Sequence, residues 1–507
     1  MELTRDNRSS TIARTVEGSA TLTTTARQEW DGQLYSGGWR AAEGGTVDVL
    51  EKATGERLAT VGLAGAADVA RAAKLAAAAQ PEWAATSFEE RGAILRRAAD
   101  RLEATAPDVI DWLVRETGEI RARATHEVRI SVGEIREAAA LAGQPYGELL
   151  PTTERGRLSL AQRVPVGVVG AITPWNAPVI LGVRVIAPAL ALGNAVIIKP
   201  DAQTPITGGL LLASLFLEAG LPEGVLHALP GAAEAGEALV TDPDVRLISF
   251  TGSTATGRRV GELAGRHLKK VSLELGGNNA LIVLDDADLE GAASSGAWGS
   301  FLHQGQLCFS TGRHLVQASI ADAYAEAISA RAEALAVGDP FREDVALGPI
   351  INQRQLDRFD AIVQDTVTAG ARLRTGGTHD RLFYRPTVLD RVEPAMRAFG
   401  EEIFGPVAAI TPFTSEQEAI ELANRTEYGL AAAIYTSSLA RGLEVARAMR
   451  TGMVHVNDTT INDQAIAPFG GMGASGNGGR FGSLANWEEF TQWQWCTVRD
   501  QAPRFAF

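Results

Sequence analysis

The sequence predicts an α/β protein of two or more domains, the first of them built on a doubly wound parallel sheet. The chain has 507 residues, which is more than a single hydrophobic core usually serves. Between residues 166 and 273, apolar strand-like segments alternate with helical segments or turns. This alternation is typical of parallel strands joined by crossover helices, and such sheets bind ligands at the carboxyl ends of their strands. The predicted strands span residues 166–172, 195–199, 225–229, 246–250 and 270–273.

The region before this sheet is predicted to be helical. Residues 64–142 carry regularly spaced apolar positions, most of them in Ala-rich stretches, which favour helices at 66–79, 88–104 and 107–117. Pro107 suits the first turn of a helix, where its missing N–H is not needed.

Three further elements follow from local patterns. Residues 147–164 alternate apolar and polar side chains around Glu-Arg-Gly-Arg, which predicts a projecting hairpin. A second α/β pattern starts with a strand at 280–284, and the helix predicted at 288–301 leads into a loop that holds a cysteine. Residues 484–507 are rich in tryptophan and are expected to form an edge strand.

Two segments raise the question of a targeting sequence or a membrane span. The first 30 residues are rich in Thr, Ser and Arg and lack the apolar core of a signal peptide, so we expect a loose tail. Residues 164–183 carry no charge, but three prolines interrupt them. A strand, a loop and a helix start explain that segment better than a membrane span, and we expect no membrane partner.

Composition excludes other classes of partner. A formal net charge of −14 argues against nucleic acid, because phosphate backbones select basic surfaces. Cys308 and Cys496 are the two cysteines of this long chain, which indicates a reduced protein with a cytoplasmic location. The seven histidines show no metal-ligand spacing, so no metal site is expected.

Cys308 is the strongest candidate for a reactive side chain. It ends the sequence His-Gln-Gly-Gln-Leu-Cys, and Glu274 lies 34 residues earlier between an apolar strand and a glycine pair. A thiolate can act as a nucleophile and a glutamate can activate water, so the pair suggests covalent catalysis. Each residue alone has a plainer interpretation, because a single cysteine is more often a small core residue and a glutamate can cap or pair.

Together these two segments resemble the aldehyde dehydrogenase superfamily, whose signature is Leu-Glu-Leu-Gly-Gly followed by Gly-Gln-x-Cys. Further motifs occur in the family's order, and the resemblance covers roughly residues 30–500. They are Thr-Pro-Trp-Asn-Ala-Pro at 173–178, Gly-Asn-Ala-Val-Ile-Ile-Lys-Pro at 193–200, Phe-Thr-Gly-Ser-Thr at 250–254, Glu-Glu-Ile-Phe-Gly-Pro at 401–406 and Pro-Phe-Gly-Gly at 468–471. The resemblance implies oxidation of an aldehyde to the carboxylic acid with NAD(P)⁺.

The resemblance also implies which residues carry out the reaction. Cys308 would attack the carbonyl as a thiolate, which requires a site that favours its ionisation. The side-chain amide of Asn176 and the backbone N–H of Cys308 would form the oxyanion hole. Glu274 would deprotonate the water that releases the acid. Family members that transfer the acyl group to coenzyme A generally lack this glutamate, so its presence points to hydrolysis.

The cofactor residues are carried over from the same motifs. Gly252, Ser253 and Gly257 open a helix after a strand, where backbone N–H groups can approach a pyrophosphate. Lys199 would hydrogen-bond the adenosine ribose. The remaining cofactor residues implied by the motifs are Trp175, Glu402 and Phe404.

Cofactor preference depends on a departure from the family pattern. Many members have a glutamate three residues after the lysine, where it grips the ribose hydroxyls and repels a 2′-phosphate. Here that position is Ala202, with Asp201 just before it as a possible substitute. NAD is therefore expected, and NADP remains an alternative.

Within the superfamily, the chain most resembles the benzaldehyde, salicylaldehyde and vanillin dehydrogenases. The segments behind this resemblance are 174–184, 199–201, 275–280, 303–306 and 311–314. An aromatic aldehyde substrate is thus implied. Ala177 stands where many aliphatic-aldehyde members have a bulky aromatic residue, and its small side chain would leave room for a ring.

The other predicted pocket residues have two interpretations each. Leu307, Phe309 and Phe469 would wall an apolar slot, although all three could equally be plain core residues. Arg184 would either meet a polar substituent on the ring or pair with an acid at a subunit interface. The neighbouring Gly479 and Arg480 replace the Arg-Glu pair of many family members.

Two alternatives and a domain division complete the expectations. The substrate could instead be an aliphatic aldehyde or a semialdehyde, or, less favoured, the enzyme could acylate coenzyme A. The domain boundaries expected from the resemblance are a tail at 1–30, an NAD(P)-binding domain at 31–146 and 165–275, a catalytic domain at 276–483, and an oligomerisation element at 147–164 and 484–507. The last of these would build a homodimer or homotetramer.

Overall fold

Two seven-stranded sheets, one three-stranded sheet and two small two-stranded sheets organise residues 30–507, the part of the chain that this computed structural model describes. The predicted N-terminal tail lies outside the described residues except for its last position. The strands are β1 (Gln33–Tyr35), β2 (Trp39–Ala41), β3 (Thr46–Leu50), β4 (Arg57–Gly62), β5 (Gly147–Leu149), β6 (Arg157–Pro165), β7 (Val168–Ile172), β8 (Ala195–Lys199), β9 (Leu226–Ala228), β10 (Val245–Thr251), β11 (Lys270–Glu274), β12 (Asn279–Val283), β13 (Thr311–Gln317), β14 (Arg372–Thr375), β15 (His379–Asp380), β16 (Phe383–Tyr384), β17 (Thr387–Asp390), β18 (Val407–Phe413), β19 (Ala431–Tyr435), β20 (Met453–Val456) and β21 (Thr491–Arg499). The two small sheets are β3-β4 and β15-β16.

The α-helices connect and cover these strands. They are α1 (Ala66–Ala85), α2 (Phe88–Ala104), α3 (Ala106–Thr117), α4 (Arg121–Leu141), α5 (Pro178–Ala191), α6 (Leu211–Glu218), α7 (Ala233–Thr241), α8 (Thr254–Arg266), α9 (Leu289–Phe301), α10 (Ala321–Ala334), α11 (Gln353–Thr368), α12 (Arg397–Gly400), α13 (Glu416–Asn424), α14 (Leu439–Ala448) and α15 (Ala485–Phe490). None of the helices in residues 30–507 is long and apolar enough to cross a membrane.

The first sheet confirms the predicted doubly wound fold. Its strand order is β11-β10-β7-β8-β9-β1-β2, and the five strands from β11 to β9 are parallel. Each predicted strand lies within about two residues of its observed bounds. Two antiparallel strands, β1 and β2, extend the sheet at one edge. No sequence pattern predicts these two strands, because strands of three residues are too short to show a period.

The helices of this region differ from the prediction in one place. The first helix continues past residue 79 to Ala85 with Pro81 inside it, so proline does not end it there. Helix α5 is buried along its whole length, which fits an apolar sequence with no polar face. Asn176 lies in the loop before this helix, which begins at Pro178, whereas Arg184 lies within the helix.

The second sheet has the order β14-β17-β18-β13-β12-β19-β20 and is parallel except at β14. It confirms the second α/β unit expected after residue 276. Its strands and helices form apolar clusters separate from the large cluster around the first sheet. The division of the chain into domains stays a prediction.

The third sheet joins distant parts of the chain. Strand β6 pairs antiparallel with β5, as the predicted hairpin requires, and with β21 over nine residues. The predicted edge strand near the carboxyl end is thereby confirmed. Trp493 and Trp495 on β21 are 52% and 67% exposed, which leaves a large apolar surface facing solvent.

Candidate active site

A sharp turn after helix α9 positions the candidate nucleophile. His303, Gln304 and Gly305 have φ angles of +52°, +56° and +67°, and Cys308 follows three residues later. Non-glycine residues in this region of backbone space cost about 1–3 kcal/mol each, so the surrounding structure must hold them. The Gln304 amide does so by donating to the carbonyls of Gly118 at 3.1 Å and Pro349 at 2.8 Å.

The candidate base, Glu274, comes from the first sheet. Glu274 is the last residue of β11 and is 4% exposed. It lies at the carboxyl end of a strand in a parallel sheet, where ligands are expected. Its Oε1 has no hydrogen-bond partner among the described residues, so this buried oxygen can accept a proton or a hydrogen bond from a bound molecule.

Cys308 and Glu274 line one pocket. The cavity is lined by Leu181, Arg184, Thr251, Glu274, Leu275, Cys308, Phe469 and Phe481. Half of these side chains are leucine or phenylalanine, and the polar groups converge on the same space, as in pockets for small organic molecules. Thus the two residues that the sequence paired at a distance of 34 positions do share a site.

The electrostatics of this cavity correct one expectation. Burial raises the pKa of the Cys308 thiol to about 12, and the nearby Glu402 and Glu274 carboxylates add to the effect, while Arg184 opposes it. The sequence analysis expected a site that favours the thiolate. In the free protein, burial and the two acids instead keep the thiol protonated at neutral pH.

Glu274 is also perturbed by its surroundings. Burial raises the pKa of its carboxyl well above 4.5, and Glu489 adds to this rise. Arg480 and Arg184 act in the opposite direction, as does the backbone N–H of Gly471. A carboxyl with such a pKa can both take and release a proton nearer neutral pH than an ordinary glutamate.

Asn176 lies against the loop that carries the thiol. Its side chain is 5% exposed, and Nδ2 donates to the carbonyl oxygen of Gln306 at 2.8 Å. This bond fixes the amide two residues before Cys308. An amide nitrogen carries two N–H groups, so one remains for an oxyanion.

Lys199 ends β8 at the carboxyl edge of the first sheet. Its Nζ donates to the carbonyl oxygens of Gly231 at 2.5 Å and Pro200 at 3.3 Å. Burial lowers the pKa of Lys199, and the nearby Asp201 partly offsets this. The ammonium has three N–H donors, so it can still bind a ribose hydroxyl.

The predicted phosphate-binding turn lies between β10 and α8. Ser253 is the N-cap residue of α8, and its hydroxyl accepts from the backbone N–H of Thr256 at 3.4 Å. Gly257 packs against Leu275, where an added Cβ would overlap the leucine side chain. Ser253 and Gly257 therefore have structural roles, and the helix N-terminus that they shape suits a negatively charged group.

Glu402, Phe404 and Trp175 form a further cluster next to the Glu274 strand. Glu402 Oε1 accepts from the backbone N–H of Gly277 at 2.9 Å, and burial raises the pKa of its carboxyl to about 7. Phe404 has a φ of +57°, and its ring meets that of Trp175 edge-to-face at 5.7 Å. An ammonium, a helix N-terminus, a carboxylate and aromatic rings form a donor and acceptor set that fits a dinucleotide.

The predicted pocket residues divide into two groups. Arg184 and Phe469 line the cavity, and Phe309 packs edge-to-face on Phe469 at 5.7 Å. Ala177 and Leu307 are buried beside the cavity and are absent from its lining. Ala177 belongs to a small apolar cluster that also contains Leu181, a lining residue, so a larger side chain there would press toward the cavity.

Arg184 faces the pocket and pairs with acids of its own chain, whereas the sequence analysis set a pocket role against an acid at a subunit interface. Its Nη2 donates to Glu134 Oε1 at 3.0 Å and also contacts Asp463, both in the same chain. Burial opposes its charge, but Asp463 and Glu134 outweigh that effect and raise the pKa of Arg184. The guanidinium also lies 4.6 Å from the centre of the Phe469 ring. Arg184 is thus an ion-paired residue that faces the pocket.

Four lining residues were not predicted as pocket residues. They are Leu181, Thr251, Leu275 and Phe481. Leu275 and Thr251 lie within motifs that the sequence analysis quotes, directly beside Glu274 and Gly252, so these neighbours of predicted site residues could have been included. No sequence signal distinguishes Leu181 or Phe481 from ordinary core residues.

Known proteins with similar sequences and structures point to one family. The model of the aldehyde dehydrogenase family matches residues 39–496. A vanillin dehydrogenase of Amycolatopsis sp. is 54% identical over 95% of this chain and 99% of its own length. An NAD⁺ benzaldehyde dehydrogenase of Pseudomonas putida is 52% identical over 94% of this chain and 98% of its own.

A solved structure supports the same assignment. The salicylaldehyde dehydrogenase of Pseudomonas putida G7, crystallised with salicylaldehyde, superposes with a TM-score of 0.91 and 35% identity. That comparison covers 94% of this chain and 99% of the other. From the thiol and carboxylate in one cavity, the dinucleotide-type cluster and these similarities, we conclude that the chain belongs to the aldehyde dehydrogenase family.

Proposed function

We propose that the protein oxidises an aromatic aldehyde of the benzaldehyde type to the carboxylic acid with NAD⁺. The observation that carries this proposal is the shared cavity of Cys308 and Glu274, whose other walls are mostly apolar. A nucleophile and an unpartnered carboxylate beside an aromatic wall suit covalent oxidation of a flat, apolar substrate. The names of the relatives, which are vanillin, benzaldehyde and salicylaldehyde dehydrogenases, support the same substrate class.

The first step is attack of Cys308 on the carbonyl carbon. Because the thiol is protonated in the free site, its proton must pass to a base as the bond forms. Glu402, Glu274 and Asp463 are the carboxylates that act on the thiol, and of these Glu274 lines the same cavity. The developing oxyanion is held by the amide of Asn176 and the backbone N–H of Cys308, a contribution of roughly 3 kcal/mol per donor in comparable sites.

The second half of the reaction releases the acid. When bound, NAD⁺ supplies the acceptor for the hydride, and Lys199, Glu402 and the N-terminus of α8 are the groups that would hold it. The thioester on Cys308 then reacts with water. Glu274 takes the proton from that water, which its unpartnered Oε1 can do without breaking another bond.

A panel of aldehydes tests the substrate class. Benzaldehyde and its hydroxy derivatives are expected to show a kcat/KM roughly 30-fold above that of acetaldehyde or propanal, since burying a ring contributes about 2 kcal/mol. Ala177→Phe should lower kcat/KM for the aromatic substrates more than for the aliphatic ones, because it presses on Leu181 at the cavity wall. The aliphatic substrates serve as the internal control. Preference of the parent enzyme for short aliphatic aldehydes would overturn the aromatic assignment.

Cofactor preference is tested at Ala202. This residue carries no charge to repel a 2′-phosphate, so NADP⁺ should support measurable oxidation alongside NAD⁺. Ala202→Glu is expected to lower kcat/KM with NADP⁺ at least about tenfold by charge repulsion and leave NAD⁺ little changed. Ala202→Gln is the matched control, because it adds similar bulk without charge. Complete rejection of NADP⁺ by the parent would assign the discrimination to Asp201 or another acid.

We also propose that β5, β6 and β21 form the contact between subunits of a homodimer or homotetramer in the cytoplasm. Trp493 and Trp495 lie on one face of this sheet and are 52% and 67% exposed, which favours burial of that face against another chain. Free thiols at Cys308 and Cys496 suit a reducing compartment. A solution mass of one 53.6 kDa chain by light scattering would contradict the oligomer.

A further inference from the structure

The segment that follows Phe469 packs directly behind the Glu274 carboxylate. Glu274 forms an antiparallel bridge with Gly476, and the backbone N–H of Leu275 donates to Ser475 O at 3.0 Å. Gly470 lies between two side chains of this region. A Cβ added to it would come within 2.7 Å of Glu274 Oε1 and 2.8 Å of Arg480 Cδ. The side chains of Glu274 and Arg480 are therefore separated by little more than one glycine.

Arg480 is held in place by neutral partners. Its Nη1 donates to the carbonyl oxygens of Gly471 at 2.8 Å and Gly479 at 2.6 Å. No carboxylate within residues 30–507 lies within 4.0 Å of this guanidinium, although Glu489 accepts from the backbone N–H of Arg480 at 3.2 Å. Arginine stays protonated, so Arg480 carries a positive charge. No ion pair among the described residues neutralises this charge.

The other cation near Glu274 differs in this respect. Arg184 is paired with both Glu134 and Asp463, so its positive charge is more than balanced locally. The remaining charged groups around the pocket, Glu489 and Glu402, are acidic. Arg480 is thus the one unpaired positive charge among the described groups that act on the Glu274 carboxyl.

We propose that Arg480 is a positioning residue that holds a positive charge behind Glu274, so that this carboxylate can serve as the base for thioester hydrolysis near neutral pH. The proposal rests on the proposed function, which assigns Glu274 that role. The effects of the neighbouring groups on Glu274 agree with the proposal. Among the groups that lower the pKa of Glu274, Arg480 has the largest effect. The same guanidinium also binds the carbonyl oxygen of Gly471, a residue whose backbone N–H lowers that pKa further.

The test follows hydrolysis of the acyl group on Cys308 as a function of pH. Benzoyl-Cys308 is formed with 4-nitrophenyl benzoate, which needs no cofactor, and its loss is measured by mass spectrometry of the quenched protein. Arg480→Gln should move the acid limb of the hydrolysis rate upward by about one pH unit or more. At neutral pH the rate should fall about tenfold and recover at higher pH. Arg480→Lys keeps the charge and should restore most of the parent profile.

Control variants separate this role from a purely structural one. Arg266→Gln removes a remote exposed arginine and should leave the profile unchanged. Glu489→Gln removes an acid that raises the pKa of Glu274, so it should move the acid limb of the pH–rate profile to lower pH. This variant tests the effect of nearby charges on Glu274 even if Arg480→Gln does not fold. A loss of rate that is equal at every pH, with Lys no better than Gln, would overturn the proposal.

Failure of the proposed function gives a different result. If the parent enzyme forms and hydrolyses benzoyl-Cys308 but never reduces NAD⁺ with any aldehyde, the dehydrogenase assignment falls while the Arg480 test stands. If Glu489→Gln and Arg480→Gln both show the same acid limb of the pH–rate profile as the parent, Arg480 does not position a charge for Glu274, even in an active dehydrogenase. A parent that never acylates Cys308 overturns both.

Discussion

Replacing Cys308 by alanine is expected to lower kcat for aldehyde oxidation by at least about 10⁴-fold, because the nucleophile that forms the thioester is lost. NAD⁺ binding should survive, since Lys199 and the N-terminus of α8 lie on the first sheet and do not depend on the thiol. The measurements are NADH formation by absorbance and NAD⁺ affinity by calorimetry.

Cys496→Ala is the matched control for this variant. Cys496 is the other free cysteine, and it lies on β21, outside the cavity that holds Cys308. Its replacement should leave kcat near the parent value. Turnover of Cys308→Ala close to that of the parent would mean that oxidation does not proceed through this thiol, and the central assignment would fail.

Glu274→Gln should show one rapid turnover followed by a stall. The variant can still form the thioester if another carboxylate accepts the thiol proton, and Glu402 is the candidate because it also acts on Cys308. Hydrolysis should then slow by about 10²–10⁴-fold, the usual contribution of a general base. A burst of NADH equal to the enzyme concentration, measured by stopped flow, identifies this behaviour.

The pH dependence of the parent enzyme follows from the same residue. Glu274 acts as a base only when ionised, and burial raises the pKa of its carboxyl. The rate of hydrolysis should therefore fall as pH decreases through this raised pKa and rise as pH increases above it. Glu274→Gln should abolish that limb, whereas Glu262→Gln, on the exposed surface of α8, should keep it.

Two results would contradict the role of Glu274. An unchanged steady state in Glu274→Gln would assign water activation to another group. Formation of an acyl-coenzyme A product by the parent enzyme, in place of the free acid, would favour the acylating alternative. Neither the cavity lining nor the unpartnered Oε1 would then be explained by hydrolysis.

The sequence by itself predicted the architecture, which the structure confirms, and singled out Cys308 and Glu274 as the candidate pair. Parallel strands that are buried on both faces appear in the sequence as short apolar segments. The predicted bounds of β7, β8 and β10 therefore lie within two residues of the observed bounds. Cys308 and Glu274 stood out because each lies in a short motif with small neighbours. Such local signals depend on residues close together in the chain, and they are readable without coordinates.

Contacts between distant segments were decided only by the tertiary structure. Arg184 meets Asp463, 279 residues away, and the Phe469 ring, so whether it faced the pocket or an acid had no local signal. The state of the thiol is a second case. Its protonation depends on burial and on Glu402 and Glu274, which the fold brings together from two sheets. Motifs show which groups are present, but the pKa of a group depends on its distance from other charges and from water, and only the packed chain sets those distances.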